Sequence, residues 1–158
     1  EHGWFDKRWM YEESLHTPLL VRWPNQIKPQ SKNNLLVSNL DFAPTFLELA
    51  GAKPTNDMQG KSLIPILKGA KPKDWRKTHY YHYYEAGGHG VPIHYGVTDG
   101  KQKLIRFPDN TLNTWEFFDL EADPMEMKNL YAEKSYRTNI QLMKKELHRL
   151  RKLYKIED

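Results

Sequence analysis

The chain has 158 residues, of which 39% are hydrophobic and 13% aromatic, so it can form one ordinary domain or two small ones and is not a disordered tail. Its formal net charge is +4, but residues 61–78 hold six basic residues against one acid, which is more typical of a solvated connector than of a nucleic-acid site. The chain has no cysteine, so disulfides and cysteine-based sites within it are excluded, and no apolar run is long enough to span a bilayer.

The first part of the chain has the pattern of strands followed by helices. Two short apolar runs, residues 17–23 and 33–38, predict buried strands. Residues 41–51 carry a single apolar stripe between Asp41, which can cap a helix, and Gly51, which can end one. This order of elements predicts an α/β fold.

The middle of the chain predicts a domain boundary. Residues 60–68 predict a short helix, and a stretch rich in proline and lysine follows it. We therefore predict that residues 1–78 form the end of an α/β domain plus a linker, and that residues 79–158 form a second, α+β domain.

The second half predicts an antiparallel sheet covered by one long helix. Four segments alternate or are rich in aromatic and β-branched residues: 79–85, 93–98, 102–107 and 114–120. Asp99-Gly100 lies between the middle two, which favours a tight hairpin. Residues 133–156 carry an apolar stripe at helical spacing, so we expect this helix to cover the one buried face of a four-stranded sheet.

Several polar groups could carry chemistry, although each also has an ordinary structural interpretation. His89 lies in a glycine-rich turn that could reach into a site or could simply connect two strands. The acidic residues Asp119, Asp123 and Glu126 could bind calcium, but their spacing is more typical of turns. Lys7 lies among Trp4, Phe5 and Trp9, and a partly desolvated cation of this kind suits an anion site.

The opening segment reads Glu1-His-Gly-Trp-Phe-Asp-Lys-Arg-Trp-Met-Tyr-Glu-Glu-Ser-Leu-His-Thr-Pro-Leu-Leu20. It resembles the type I sulfatases, members of the alkaline-phosphatase-like superfamily that act on sulfated glycans, with His16 where the family pattern has arginine. The resemblance continues in family order through further segments: 41–51, 60–67, 79–85, 94–96, 103–105, 118–124 and 129–131. It implies the carboxy-terminal portion of a sulfatase fold, preceded by a longer N-terminal sulfatase domain.

The resemblance also implies a chemistry. In the family a formylglycine attacks the sulfur of a sulfate ester, and calcium with basic side chains neutralises the sulfate oxygens. The nucleophile and most metal ligands are expected upstream, so no cofactor or metal ligand is expected in this chain, which alone should be inactive. Lys7 matches the family's sulfate-contacting lysine. Five more residues are predicted to border the substrate: His2, His16, His89, His94 and Tyr95.

We therefore predict that the full-length parent is a sulfuric ester hydrolase acting on a sulfated sugar, with a periplasmic or secreted location as a family expectation. A phosphodiester or phosphonate hydrolase of the same superfamily is the first alternative. A non-catalytic module that binds glycan or a partner through the aromatic residues 80–84 is the second. Because a cut sheet leaves an open edge, we also expect self-association or partial disorder in residues 1–60 of the isolated chain.

Overall fold

The chain folds into two compact units. The structure is a computed structural model and describes residues 2, 7–85, 88–108 and 112–156. One unit, here the sheet unit, combines Glu1–Pro18 with Thr78–Asp158, and the other, the loop unit, is Leu19–Lys77. The domain boundary between residues 1–78 and 79–158 stays a prediction, and the structure groups the first 18 residues with the sheet.

Within the described residues the structure contains four helices and four strands. The helices are α1 (Glu12–Leu15), α2 (Phe42–Leu49), α3 (Ile64–Leu67) and α4 (Arg137–Leu153). The strands are β1 (His79–Tyr83), β2 (His94–Thr98), β3 (Gln102–Phe107) and β4 (Thr114–Asp119). Single turns of 3-10 helix occur at Asn39–Asp41, Gly88–Gly90 and Lys134–Tyr136.

In the loop unit the two predicted helices are confirmed and the two predicted strands are wrong. Residues 17–23 and 33–38 have no strand assignment, and Leu20 in the first run is 92% exposed. An apolar run becomes a strand only when another strand completes its ladder, and none does so among the described residues. The unit instead has a small core around Leu63, Ile66 and Trp75.

Asp41 organises the loop unit. It does not cap α2 with its side chain; instead, its carboxylate accepts the backbone N–H of Ser38 and that of Lys61, both at 2.8 Å. Arg76 binds both carboxylate oxygens with its guanidinium group. Burial alone would raise the pKa of Asp41, but the hydrogen bonds from Arg76, Lys61 and Ser38 outweigh it and lower that pKa. One fully buried carboxylate thus ties together three separate stretches of chain.

The predicted sheet is confirmed, with strand order β1-β2-β3-β4 and every pair antiparallel. The hairpin between β2 and β3 turns at Asp99 and Gly100. The Asp99 carboxylate accepts the backbone N–H groups of Lys101 and Gln102, and Gly100 has a φ of 84°, which glycine adopts without strain. This tight turn therefore places β3 beside β2 as its antiparallel neighbour.

Helix α4 covers one face of the sheet, as predicted. The buried side chains of this layer are Val97, Leu104, Phe117, Leu130, Ile140, Met143, Leu147 and Leu150. Because side chains alternate along a strand, the strand residues next to Val97, Leu104 and Phe117 point to the opposite face of the sheet.

The opposite face is also covered, so the prediction of a single buried face is wrong. Residues 8–15, here called the strap, lie against it and contribute the buried Trp9, Met10 and Tyr11 to a second core. The close approach depends on Gly96 in β2: a Cβ atom there would lie 2.6 Å from the Met10 sulfur and would also collide with the carbonyl oxygen of Leu104. The sheet unit is therefore a three-layer arrangement of helix, sheet and strap.

Candidate functional site

The strap is fastened to the sheet by hydrogen bonds at both ends of its aromatic section. The Tyr81 hydroxyl donates to the carbonyl of Arg8 at 2.6 Å, and the Tyr11 hydroxyl donates to the Glu116 carboxylate at 2.9 Å. Burial, and then the neighbouring Glu116, raise the pKa of Tyr11, so this hydroxyl stays a donor at neutral pH. These bonds fix both the height and the register of the strap over the sheet.

A buried group of three charges fastens the strap a second time. The ammonium of Lys103, in β3, is fully buried and lies 2.8 Å from a Glu12 oxygen and 2.7 Å from a Glu126 oxygen. The other Glu126 oxygen accepts the backbone N–H of Glu12 at 2.6 Å. Burial raises the pKa of Glu126, and Lys103 opposes that rise. Glu12, which begins α1, is thus held through both its side chain and its backbone.

Lys7 lies just before the strap and is exposed. Its ammonium group donates to the carbonyl oxygen of Glu13 in α1 at 3.2 Å, so the side chain folds back along the strap. Trp4 and Phe5, predicted to surround it, lie outside the described residues. Lys7 is therefore not the partly desolvated cation that the sequence predicted. Its role as the sulfate-binding residue stays a prediction.

His94 is buried rather than placed on a surface. It is 0% exposed, and its ring lies 5.3–5.6 Å from those of Trp9, Tyr81, Tyr83 and Phe107. Its Nδ1 lies 2.9 Å from the carbonyl oxygen of Pro92, and burial lowers its pKa. The structure therefore places this ring in the core under the strap, and its assignment as a sugar contact stays a prediction.

The other predicted substrate residues are spread over the sheet unit. His2 stacks on Tyr11 at 4.0 Å, and exposed His16 lies 3.1 Å from Glu12. His89 is exposed in its turn. Tyr95 faces α4, where Arg151 lies 4.2 Å from its ring centre, so adjacent His94 and Tyr95 point to opposite faces. The structure does not gather all the predicted residues at one site.

One group of described residues brings potential metal ligands close together. The best mixed group is His2, Glu13 and Glu126, whose candidate ligand atoms lie within 4.8 Å of one another. Both oxygens of Glu126 already have partners, one of them the Lys103 ammonium, and calcium prefers an all-oxygen shell. This group therefore does not fit a calcium ion.

The acidic cluster after β4 is partly turn chemistry, as its spacing indicates. Asp119 accepts the N–H groups of Glu121 and Ala122, and Asp123 accepts that of Lys128. Glu126 differs because it is buried and paired with Lys103. Sequence reasoning missed this role, as it missed those of Lys103 and Glu12. The one available indication was a lysine at an inward position of β3, where an apolar residue is the norm.

Comparison with known proteins places the chain in a family. Residues 1–153 match the family described as N-sulphoglucosamine sulphohydrolase, C-terminal, so the chain belongs to this family of carboxy-terminal sulfatase domains. The N-acetylglucosamine-6-O-sulfatase of Bacteroides thetaiotaomicron is 45% identical over 161 residues, which cover 100% of this chain and 29% of the relative. A solved structure of a protein in complex with that protein's own substrate, D-glucosamine-2-N,6-O-disulfate, matches with a TM-score of 0.94 at 45% identity. The match covers 100% of this chain and 32% of the chain in that structure.

The fold is shared more widely than the sequence. A phosphonate monoester hydrolase from Silicibacter pomeroyi matches with a TM-score of 0.81 at 22% identity, over 94% of this chain and 31% of its own. The chain thus spans about three tenths of each of these three proteins. Its sheet and helix belong to a sulfatase-type, alkaline-phosphatase-like fold. Among the described residues, no helix is both long and apolar enough to cross a membrane.

Proposed function

We propose that the complete protein hydrolyses a sulfate ester of a sulfated sugar, and that this chain contributes the lysine that meets the sulfate. The observation that carries the proposal is the placement of Lys7, an accessible cation directly before a strap that is fastened to a rigid sheet. Charge that develops on a transferring group is stabilised best by cations that need no reorganisation. The family membership of residues 1–153 supports the same reaction.

In the proposed reaction, water and R–O–SO3⁻ give the alcohol and hydrogen sulfate. Lys7 binds and orients a sulfate oxygen through its ammonium group, and the strap holds its backbone in place. Formylglycine and calcium, when present in the parent, would supply the nucleophile and further charge neutralisation. The relatives' substrates favour a glucosamine sulfated on nitrogen or on the 6-oxygen.

The proposed partner of this chain is the preceding catalytic domain of the same protein. The loop unit exposes a set of large apolar side chains: Leu20, Val21, Phe42, Phe46 and Leu49. An apolar surface of this kind is typical of an interface, and the relatives have about seven tenths of their length outside the matched region, which could cover it. The self-association expected of the isolated chain would follow from leaving this surface uncovered.

Replacement of Lys7 by alanine in the complete protein tests the proposed function. We expect kcat/KM for a sulfated glucosamine to fall by about 10²- to 10³-fold, the usual effect of removing one charge-stabilising donor. Lys145→Ala is the matched control, because Lys145 lies on the exposed side of α4, and this variant should retain full activity.

The substrate arm of the same experiment separates the two reaction classes. The unmodified protein is offered a sulfate ester and a phosphonate monoester of the same alcohol. Faster hydrolysis of the phosphonate would replace the sulfatase proposal with the alternative that shares the fold. Full activity of Lys7→Ala on the sulfate ester would remove Lys7 from the anion site.

A further inference from the structure

We propose that Lys103, together with Glu12 and Glu126, positions Lys7 for the reaction, an inference that rests on the proposed role of Lys7. None of these three residues need touch the substrate. They would act by fixing the place from which the Lys7 ammonium is presented.

The argument begins with the cost of the buried charges. An ammonium removed from water is tolerated when it is paired closely, and Lys103 has carboxylates at 2.7 and 2.8 Å. Replacing such a group with apolar side chains often leaves stability unchanged or improves it, so stability alone is a weak reason to keep it. A charge group instead fixes geometry, because each member has partners only in one arrangement.

The geometry that this charge group fixes is that of α1. Glu12 begins α1, and both its backbone N–H and its carboxylate are held by residues of the sheet layer and the loop after β4. Glu13 is the next residue, and its carbonyl oxygen accepts the hydrogen bond from Lys7. A continuous path of contacts therefore runs from Lys103 through Glu12 and Glu13 to the Lys7 ammonium.

The path also explains why the anchor must be strong. α1 has only four residues, too few to be a stable helix without tertiary contacts, and none of them is buried. The aromatic contacts of the strap end at Tyr11, immediately before it. The pairing at Glu12 adds a charged link between the turn that holds Lys7 and the sheet, beside the hydrogen bond of Tyr11 and the packing of Leu15 against the second core.

The test is a double-mutant cycle in the complete protein with Glu12→Gln and Lys7→Ala. Glu12→Gln keeps the size of the side chain and the Lys103–Glu126 pair while removing one charge. We expect Glu12→Gln to lower kcat/KM for the sulfate ester by about tenfold or more, and to have no further effect when Lys7 is already alanine. A loss of the same factor in both backgrounds, or no loss in the first, overturns the proposal.

A control variant and a substitute variant complete the double-mutant cycle. Glu121→Gln, which removes an exposed carboxylate paired with Lys101 at 2.8 Å, is the matched control and should change neither background. If Glu12→Gln fails to fold, Glu12→Asp shortens the carboxylate by one methylene at constant charge, and the same non-additivity is required of it.

A second measurement separates this proposal from the proposed function. Amide hydrogen exchange in residues 8–15 should quicken in Glu12→Gln while exchange in β2 stays unchanged; unchanged exchange in the strap overturns the anchor. If the unmodified protein hydrolyses a phosphonate instead of a sulfate ester, the sulfatase proposal fails. The double-mutant cycle is then measured with the phosphonate as substrate. If it hydrolyses neither, the proposed function and the role of Lys7 both fail, and with them the positioning role.

Discussion

Replacing Lys103 with methionine should destabilise the sheet unit strongly, because it leaves a buried carboxylate alone. Glu126 has a fully buried side chain, whereas that of Glu12 is 25% exposed and can turn to water. Removing one partner of a buried ion pair costs about 3–5 kcal/mol. Since each 1.4 kcal/mol is tenfold, amides of β3 and β4 that exchange by opening of the sheet should exchange roughly 10²- to 10³-fold faster or more.

The assay is hydrogen–deuterium exchange at neutral pH, followed on peptides that cover β3 and β4. Lys101→Met is the control: it removes the same charge two residues earlier, where the side chain is 68% exposed, and should change exchange by less than about threefold. Lys103→Met combined with Glu126→Gln should recover most of the loss, because no buried charge remains. The reasoning is refuted if Lys103→Met matches its control, or if the double variant is no more stable than the single.

Two further changes test the electrostatics of each unit. Asp41→Asn should destabilise the loop unit by about 3–5 kcal/mol, seen as faster exchange around α2, because Arg76 loses its buried counter-charge; exposed Asp57→Asn should have little effect. Burial, with Arg151, lowers the pKa of His82 to about 4, and burial also lowers that of His94, so the unfolded chain binds protons first as pH falls below 6.5. The raised pKa values of Glu116 and Glu126 act in the opposite direction, so the test is the difference between two proteins. Between pH 6.5 and 4 the melting temperature of the unmodified sheet unit should fall relative to that of His82→Gln; a constant or rising difference would contradict this.

The sheet and α4 could be predicted from the sequence because their signals are local. Alternation along each strand, the Asp99-Gly100 turn and the stripe on α4 act over a few residues. The predicted strands at 17–23 and 33–38 failed because a strand is defined by its neighbour, and an apolar run does not state whether one exists.

The strap could not be predicted because its contacts join residues far apart in the chain. Met10 packs against Gly96, and Glu12 pairs with Lys103, across some ninety positions that contain no matching pattern. The family resemblance singled out Lys7 by its place in a motif. It gave no reason to connect that lysine with a buried cation in β3, which only the folded geometry brings into view.

The sheet unit is discontinuous: the chain contributes its strap, leaves for the whole of the loop unit, and returns at Thr78 to build the sheet. A protease that cuts the loop unit would break the polypeptide, but the aromatic contacts and ion pairs would still hold the strap to the sheet. In chain order, the loop unit is thus an insertion between the two segments of the sheet unit. A longer or shorter loop unit should leave the strap bound to the sheet, because the entropic cost of closing a loop rises only slowly with its length.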